Sequence, residues 1–337
     1  MSLKLIEIKD LIKNPLYEKP NQNLNNLIVL FKSIDNINYL IYAQKKDIII
    51  FDLNSSTQTL KIINAHNSEI VNFDYYSDIK NKRDLILSIS DIDNNIKLWN
   101  AKNFECLLDM KNIFNGHLYS SCFLINNDNI YIIASNFSLK MVQSSGVFVY
   151  DLNGKLIKIM YDSSGGFKGV CILDSYFDIE LNKNYIITGN CGYCQSFDFE
   201  KNKLYHKYCD GDELTMGIVV CVNIFIFQSE RKTKLIEANT LRHIKIWDFH
   251  SSELLHKIKT EMQELYILLW SEKYLLFGEK TNIQVYDLNL NKISDYSLYN
   301  DKHKEIFNLK KINDLINEKY LLIFEKNSII ISKIIEE

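Results

Sequence analysis

A short phrase recurs along this chain of 337 residues. It consists of an apolar run, a polar turn, and a second apolar run that ends in an aromatic residue followed by Asp or Asn. The six endings are Phe51-Asp52, Trp99-Asn100, Tyr150-Asp151, Phe197-Asp198, Trp247-Asp248 and Tyr286-Asp287. Successive endings lie 48, 51, 47, 50 and 39 residues apart. A period of roughly 40–50 residues is typical of chains built from one repeated supersecondary unit, which favours one repeating domain over two unrelated ones.

Within each repeat the apolar residues alternate with a period of two and are rich in β-branched and aromatic types, which predicts strands. The runs before the aromatic endings are read as third strands: 48–52, 95–99, 147–150, 243–247 and 282–286. Matching runs precede them as second strands (39–43, 85–88, 131–134, 185–188 and 274–277) and follow them as fourth strands (59–63, 156–160 and 254–258). Four strands per unit, repeated around an axis, predict a β-propeller.

The predicted fold is an all-β, seven-bladed β-propeller of four-stranded antiparallel blades, with residues 1–337 as one domain. The expected blades cover residues 24–66, 67–117, 118–162, 163–212, 213–260, 261–300 and 301–337. The last unit is one strand short, and the alternating run 2–8 at the start of the chain supplies a candidate for the missing strand. We therefore expect this N-terminal strand to complete the last blade and close the ring, since an open ring would leave unpaired sheet edges.

The second repeat, from Ala65-His66 through Trp99-Asn100, resembles the WD-repeat family. In that family a His, a Ser or Thr, an Asp and a Trp form a hydrogen-bonded set that ties a blade together. Carried onto this chain, the resemblance implies the set His66, Ser88, Asp93 and Trp99, with Asp91 as a rival for the acidic place. The other repeats diverge at that acidic place, where they have Lys45, Ser144, Cys191, Leu241 and Lys280.

The same resemblance implies a function. WD-repeat propellers present peptide-binding surfaces on their faces, so a non-catalytic scaffold or adaptor subunit of a multiprotein complex is expected, with proteins or peptides as partners. The preferred surface is the one carrying the turns between second and third strands. Its candidate residues are Lys46, Asp91, Tyr193, Arg242, Lys280 and Lys326. Tyr193 and Arg242 are favoured because aromatic and Arg anchors dominate many interfaces, although ordinary solvated turns would explain each residue equally well.

Charge and composition weigh against several other classes. The net charge is −3, and only Arg83, Arg231 and Arg242 among the 39 basic residues are arginine, so no nucleic-acid partner is expected. The longest nearly apolar run, 217–227, is far shorter than the about 20 residues of a membrane-spanning helix, so no membrane insertion is expected. Seven cysteines without framework spacing, and a start without an apolar signal core, predict reduced thiols and a cytoplasmic protein.

The chain offers weak candidates for chemistry, and each has a plainer explanation. Cys191-x-x-Cys194 has no second pair to complete a zinc site and reads as a turn. The run 165–169, Gly-Gly-Phe-Lys-Gly, lacks the spacing of a phosphate-binding loop. The seven histidines show no metal-ligand spacing. We therefore expect no catalytic residues, no metal, no cofactor and no enzymatic activity.

Two alternatives stay open. One is a propeller enzyme with a site at the mouth of the central channel, which the largely apolar first strands, such as 27–31 and 265–269, do not favour. The other is a phosphoinositide-binding propeller. That family carries the motif Phe-Arg-Arg-Gly, and this chain has no Arg-Arg pair.

Overall fold

The computed structural model describes most of the chain. The described residues are 3–13, 27–55, 57–111, 117–137, 146–160, 170–190, 192–211, 221–229, 232–239, 241–260, 266–270, 273–279, 282–297, 306–313, 319–325 and 328–336. The regular elements within these ranges are β-strands. The chain divides into two compact units, a larger one of residues 26–224 with 249–253 and a second one of residues 1–25, 225–248 and 254–337.

The first strand, β1, spans Leu3–Lys13 and belongs to the second unit. The larger unit contains four sheets, each made of four strands that follow one another in the chain. Blade 1 is β2 (Ile28–Lys32), β3 (Asn38–Gln44), β4 (Asp47–Asp52) and β5 (Thr57–Ile62). Blade 2 is β6 (Ile70–Asp78), β7 (Arg83–Ser90), β8 (Asn95–Asn100) and β9 (Cys106–Lys111). Blade 3 is β10 (His117–Asn126), β11 (Asn129–Phe137), β12 (Val147–Asp151) and β13 (Leu156–Met160). Blade 4 is β14 (Val170–Asp178), β15 (Lys183–Asn190), β16 (Cys194–Asp198) and β17 (Lys203–Tyr208).

The remaining strands form two further sheets of consecutive strands and one composite sheet. Blade 5 is β18 (Cys221–Ser229), β19 (Lys232–Asn239), β20 (His243–Asp248) and β21 (Leu254–Lys259). Blade 6 is β22 (Tyr266–Trp270), β23 (Tyr274–Glu279), β24 (Asn282–Asp287) and β25 (Lys292–Ser297). The composite sheet joins β26 (Ile306–Asn313), β27 (Lys319–Glu325) and β28 (Ser328–Glu336) to β1, in the order β1-β28-β27-β26. The predicted second, third and fourth strands are confirmed: all fall within observed strands except 59–63, which extends one residue beyond β5.

The recurring aromatic residue marks a β-bulge in every blade. The register between the third and fourth strands shifts just before Phe51, Trp99, Tyr150, Phe197, Trp247 and Tyr286. A bulge of this kind bends the strand and increases its twist. The Asp or Asn that follows then fixes the turn into the fourth strand. Asp151 Oδ1 accepts the backbone N–H of Asn153 at 2.9 Å, and Asp52, Asn100, Asp198 and Asp287 make the same kind of bond. The repeated phrase therefore encodes a bulge and an Asx turn.

The core lies within the blades and between neighbouring ones. Second strands are buried on both faces, as in β7, where every residue after Arg83 is buried. One apolar cluster of the larger unit joins Leu98 of blade 2 to Phe123 of blade 3, and another joins Val149 of blade 3 to Phe197 of blade 4. Fourth strands such as β9 are edge strands with largely exposed side chains. The first strands pack against one another from blade to blade, which places like turns of successive blades side by side.

The prediction of seven blades closed by an N-terminal strand is wrong. Six sheets are blades of four consecutive strands, and each of these six has the bulge at the aromatic residue of the repeated phrase. The predicted pairing of the N-terminal segment with β28 is present, over Leu3–Lys13. It leaves an open sheet, however, in which β1 is an edge strand, and it lies wholly within the second unit. The observed fold is therefore a propeller of six four-stranded antiparallel blades with a composite sheet, and none of the sheets formed by the described strands is closed.

Candidate interaction surface

The described part of blade 2 brings together three of the four residues that the resemblance selected. His66 Nε2 lies 2.7 Å from Ser88 Oγ, and the indole Nε1–H of Trp99 donates to the same hydroxyl at 2.8 Å. All three side chains are buried. Ser88 lies on β7 and Trp99 on β8, while His66 lies in the segment that enters blade 2 from blade 1. The hydroxyl thus ties two strands to the incoming chain, and a buried indole donor is satisfied.

Asp93 lies beside this set and has different partners. Its carboxylate accepts hydrogen bonds from the backbone N–H of Asn67 at 3.1 Å, from Ser68 Oγ at 2.7 Å and from Ser90 Oγ. His66 Nδ1 is buried and has no hydrogen-bond partner within the described part of the chain. Asp93 therefore clamps the β7–β8 turn to the incoming segment next to His66, instead of orienting the imidazole. Its rival Asp91 lies in the same turn with a buried Oδ1.

Burial decides the charge state of this network. It lowers the pKa of His66 to about 4, and the nearby Lys97 ammonium adds to the decrease. His66 is therefore neutral at neutral pH. For Asp93, burial alone would raise the pKa, but the hydrogen bonds from Ser90, Ser68 and Asn67 outweigh it and hold the pKa below its usual value. An ionised Asp93 beside a neutral His66 is the arrangement that keeps the turn clamped.

Above this network lies a patch that we call the second-turn surface: Lys46, Ile63, Asp91 and Ile92. The backbone oxygen of Lys46 accepts the N–H of His66 at 3.2 Å, so the β3–β4 turn contacts the same incoming segment that Asp93 clamps. Lys46 and Ile63 are exposed, and Ile92 is 71% exposed at the tip of the β7–β8 turn. The patch combines aliphatic and charged groups on turns that are held by buried hydrogen bonds. Of its members, Lys46 and Asp91 were predicted from the sequence, whereas Ile63 and Ile92 were not.

The other predicted binding residues are not members of this surface. Tyr193 is buried at 4% exposure, with Lys207 Nζ 4.0 Å from its ring centroid, which leaves little of the ring to contact a partner. Arg242 is half-buried in the β19–β20 turn, in the second unit, with φ of 66°. Lys280 and Lys326 lie outside the described residues, as do Cys191 and the run 165–169. Cys194 of the Cys-x-x-Cys pair is buried.

Polar residues on the first strands of blades 2 to 4 were missed by the sequence analysis, which read first strands as apolar. Asn72 Oδ1 accepts both the N–H and the hydroxyl of Ser121, at 3.1 and 2.6 Å, and Asp74 Oδ2 accepts the N–H of Phe123 at 2.7 Å. Ser175 Oγ in turn donates to the carbonyl of Phe123 at 2.7 Å. These bonds run from blade to blade, so the polar side chains join first strands that share no sheet. The Asn-x-Asp and Asp-Ser pairs within apolar runs were the available signal.

The pKa values of two ionisable groups near these contacts are strongly raised. Burial raises the pKa of Asp174 to about 7, against the hydrogen bond from Ser175 N–H, and the Asp74 charge raises it further. Burial likewise raises the pKa of the Cys122 thiol well above its usual value, with Asp74 and Asp174 adding to the effect. Both changes come from placing acidic groups next to one another in an interior that solvates charge poorly. Cys122 is therefore a protonated core thiol.

Among the described residues, no group of three His, Cys, Asp or Glu side chains is arranged to hold a metal ion. No helix within the described ranges has the length and apolar character needed to cross a membrane.

Comparison with known proteins identifies the fold through structure only. No protein-family model matches the chain, and no curated protein sequence matches it. Among solved structures, 1314 chains match. One is the crystal structure of Raptor from Chaetomium thermophilum, with a TM-score of 0.69 and 14% sequence identity, over 94% of this chain and 29% of that chain. The present chain thus spans less than a third of that protein's length. At this identity the likeness shows the fold alone, which is a β-propeller.

Proposed function

We propose that this chain is a non-catalytic interaction scaffold, a divergent WD-repeat adaptor that binds other proteins in the cytoplasm through the second-turn surface. The observation that carries the proposal is the clamped β7–β8 turn. Two hydrogen bonds to Asp93, from Asn67 and Ser68, hold that turn against the incoming segment, and a third from Ser90 holds the turn to β7, while Ile92 at its tip stays 71% exposed. An aliphatic side chain on a fixed turn loses little conformational entropy when a partner covers it, which favours binding.

The contacts of the first strands support the non-catalytic reading. Asp74 and Asn72 bond to the backbone or hydroxyl of the neighbouring blade. Groups held in this way join blades, and general acid–base work would require them to face a substrate instead. The structural likeness to Raptor adds the propeller architecture, a fold that hosts many functions.

The experiment is affinity capture of the tagged protein from its own cells, with co-purifying proteins quantified by mass spectrometry. Wild type is compared with the double variant Lys46→Glu/Ile92→Asp, which reverses one charge and removes the exposed aliphatic group. We expect at least one stoichiometric protein partner, depleted about tenfold or more in the variant, because exposed anchors carry a large share of interface energy.

The matched control is Ile79→Asp, which changes an equally exposed isoleucine at the opposite end of blade 2. Partner recovery should be unchanged in this control. Equal recovery by wild type and the Lys46→Glu/Ile92→Asp variant would exclude the second-turn surface. A purified protein that retains a stoichiometric small molecule and no protein partner would reject the scaffold function itself.

A further inference from the structure

Two isoleucines at the other end of the blades are among the most exposed large apolar residues of the larger unit. Ile79 is 78% exposed and Ile179 is 73% exposed. Each lies in the turn between the first and second strands, in blade 2 and blade 4 respectively. The two turns share a sequence plan, Asp-Ile at the start and a basic residue at the first position of the next strand, so the same exposed side chain is presented twice.

Both turns are held in place by a buried carboxylate. Asp78 accepts the backbone N–H of Asn81 at 3.2 Å and the Nε–H of Arg83 at 2.8 Å. Asp178 accepts the N–H of Leu181 at 2.9 Å through Oδ1, and its Oδ2 lies 3.1 Å from His250 Nε2. The fourth turn residue has a positive φ in each case, 51° at Lys82 and 50° at Asn182. The two turns therefore share the same conformation, and each exposed isoleucine lies on a turn that is held by hydrogen bonds.

The short turn of blade 3 joins these two turns into one surface. Lys80 Nζ lies 2.7 Å from Asp128 Oδ2, which links blade 2 to blade 3, and Asn184 Nδ2 donates to Asn126 Oδ1 at 3.3 Å, which links blade 3 to blade 4. Phe177 and Leu181 are also exposed beside Ile179. We call this the first-turn surface: Ile79, Lys82, Asp128, Ile179, Glu180 and their immediate neighbours. It carries more exposed apolar side chains than a solvated turn requires.

Charge distinguishes the two ends of this surface. At the blade 2 end, Lys80 is paired with Asp128 and Arg83 with Asp78, and Lys82 is exposed. At the blade 4 end, Glu180 is exposed, and Lys183 lies near Asp198. Neither Lys82 nor Glu180 has an ion pair among the described residues. The two ends thus present the same aliphatic group next to opposite charges.

We propose that the first-turn surface binds a second copy of this chain about a two-fold axis, with the blade 2 turn of each copy on the blade 4 turn of the other. A two-fold axis through the middle of the surface places the blade 2 turn of each copy opposite the blade 4 turn of the other. Because the distance between Ile79 and Ile179 is the same in both copies, the contacts at the two ends align together. Each isoleucine meets the other across the interface, and Lys82 of one copy faces Glu180 of the other at both ends. Self-complementary patches of this kind are the commonest route to soluble homo-oligomers.

The experiment is sedimentation velocity of the full chain over a range of protein concentrations at near-physiological salt. Wild type should show a concentration-dependent dimer. The double variant Ile79→Asp/Ile179→Asp should be a monomer, because it places carboxylates at both apolar contacts. Ile92→Asp, an equally exposed isoleucine at the opposite end of blade 2, is the matched control and should dimerise as wild type does.

A charge exchange tests the pairing itself. Glu180→Lys and Lys82→Glu should each weaken dimerisation by about tenfold or more, since like charges then face each other at both ends. The combined variant Lys82→Glu/Glu180→Lys should return towards the wild-type dissociation constant. A dimer that ignores both single changes, or fails to recover in the combined variant, would overturn the proposed geometry. A wild-type chain that stays monomeric at every concentration would overturn the dimer altogether.

This inference stands apart from the scaffold function. Under the two proposals, Lys46→Glu/Ile92→Asp depletes the captured partner and keeps the dimer, whereas Ile79→Asp/Ile179→Asp removes the dimer and keeps partner capture. Failure of one proposal is therefore visible without failure of the other.

Discussion

Blades 2 and 5 have a tryptophan at the same place in the third strand, but its indole N–H has a different hydrogen-bond acceptor in each blade. In blade 2, Trp99 donates to the neutral hydroxyl of Ser88 at 2.8 Å, and Lys97 forms an ion pair with Asp109 on the fourth strand, also at 2.8 Å. In blade 5, Trp247 donates to the carboxylate of Glu237 at 3.1 Å. That carboxylate also faces the fully buried Lys245, with Nζ 3.7 Å from Oε1.

The strand registers show that these residues occupy equivalent places. Ser88 lies opposite Lys97 as Glu237 lies opposite Lys245. Lys97 lies opposite Asp109, whereas Lys245 lies opposite Lys257. In blade 2 the carboxylate that faces the lysine lies on the exposed fourth strand, whereas in blade 5 it lies on the buried second strand. Each blade therefore has a carboxylate beside this lysine. The comparison shows that one hydrogen-bond position can be filled by a hydroxyl or by a buried ion pair, with different demands on stability.

The largest expected effect comes from breaking the buried pair. Glu237→Gln keeps an acceptor for the Trp247 indole but removes the carboxylate charge that faces the buried Lys245, and loss of one partner of a buried pair costs about 3–5 kcal/mol. We expect urea unfolding to show a free-energy loss in that range. The double variant Glu237→Gln/Lys245→Met should recover most of it, because the ammonium is removed together with the carboxylate that faced it. A single variant as stable as wild type would show that the pair does not stabilise blade 5.

The second effect is the pH dependence of blade 2. Burial lowers the pKa of His66 to about 4 from 6.5, so the unfolded chain takes up the proton first as pH falls. Stability from His66 is therefore complete above about pH 6.5 and is lost between pH 6.5 and 4, by up to about 3 kcal/mol. His66→Gln, which does not titrate, should flatten the fall in unfolding free energy over this range.

The change in unfolding free energy with pH has to be measured as the difference between His66→Gln and wild type, because the titration of Asp174 changes stability with pH in the opposite direction. Its folded pKa of about 7 lies above that of the unfolded chain, so its contribution favours the folded state at low pH and turns unfavourable as pH rises from about 4 to 7. Equal slopes for wild type and His66→Gln would mean that His66 does not resist protonation in the folded state.

The third effect tests the neutral hydroxyl. Ser88→Ala removes the acceptor of the Trp99 indole and the neighbour of His66 Nε2, which leaves two buried polar atoms unpaired. We expect a loss of about 1–3 kcal/mol in the free energy of unfolding, smaller than the effect in blade 5 because only neutral groups lose a partner. Ser88→Thr should retain most of the stability, since it keeps the hydroxyl. A Thr variant as unstable as the Ala variant would assign the loss to packing instead.

Much of this fold is readable from the sequence, and the physical reason is local. The alternation of apolar residues located the strands, and the aromatic-Asp phrase marks a bulge followed by an Asx turn, both set by a few neighbouring residues. That phrase occurs six times, which matches the six blades, whereas the predicted seventh blade combined residues 301–337, which lack the phrase, with the run 2–8. The composite sheet lacks the phrase, and the alternating run 2–8 indicated a strand that pairs with the last unit but not that the resulting sheet stays open.

The candidate site was less predictable because its chemistry depends on contacts between distant segments. The resemblance selected Asp93 as a partner of His66, but Ser68 and Ser90 bring their hydroxyls to the same carboxylate and take its lone pairs. Glu237 was missed since a carboxylate at the Ser88 place looks like a departure from the pattern until Lys245 is seen beside it. The exposure of Ile63 and Ile92 was hidden for a simpler reason: isoleucine in a strand-rich chain reads as core.

The smallest expected effect concerns the ion pair on the fourth strand of blade 2. Asp109→Ala removes the carboxylate facing Lys97, but that carboxylate is more than half exposed, and its pKa is lowered mainly by its bond to Lys97. An ion pair exposed to water contributes about 0.2–1 kcal/mol and weakens with added salt. Urea unfolding should therefore show a loss in that range that shrinks in high salt, whereas the loss from Glu237→Gln should persist. If both losses respond to salt equally, the contrast between an exposed and a buried acid, on which the comparison of the two blades depends, would fail.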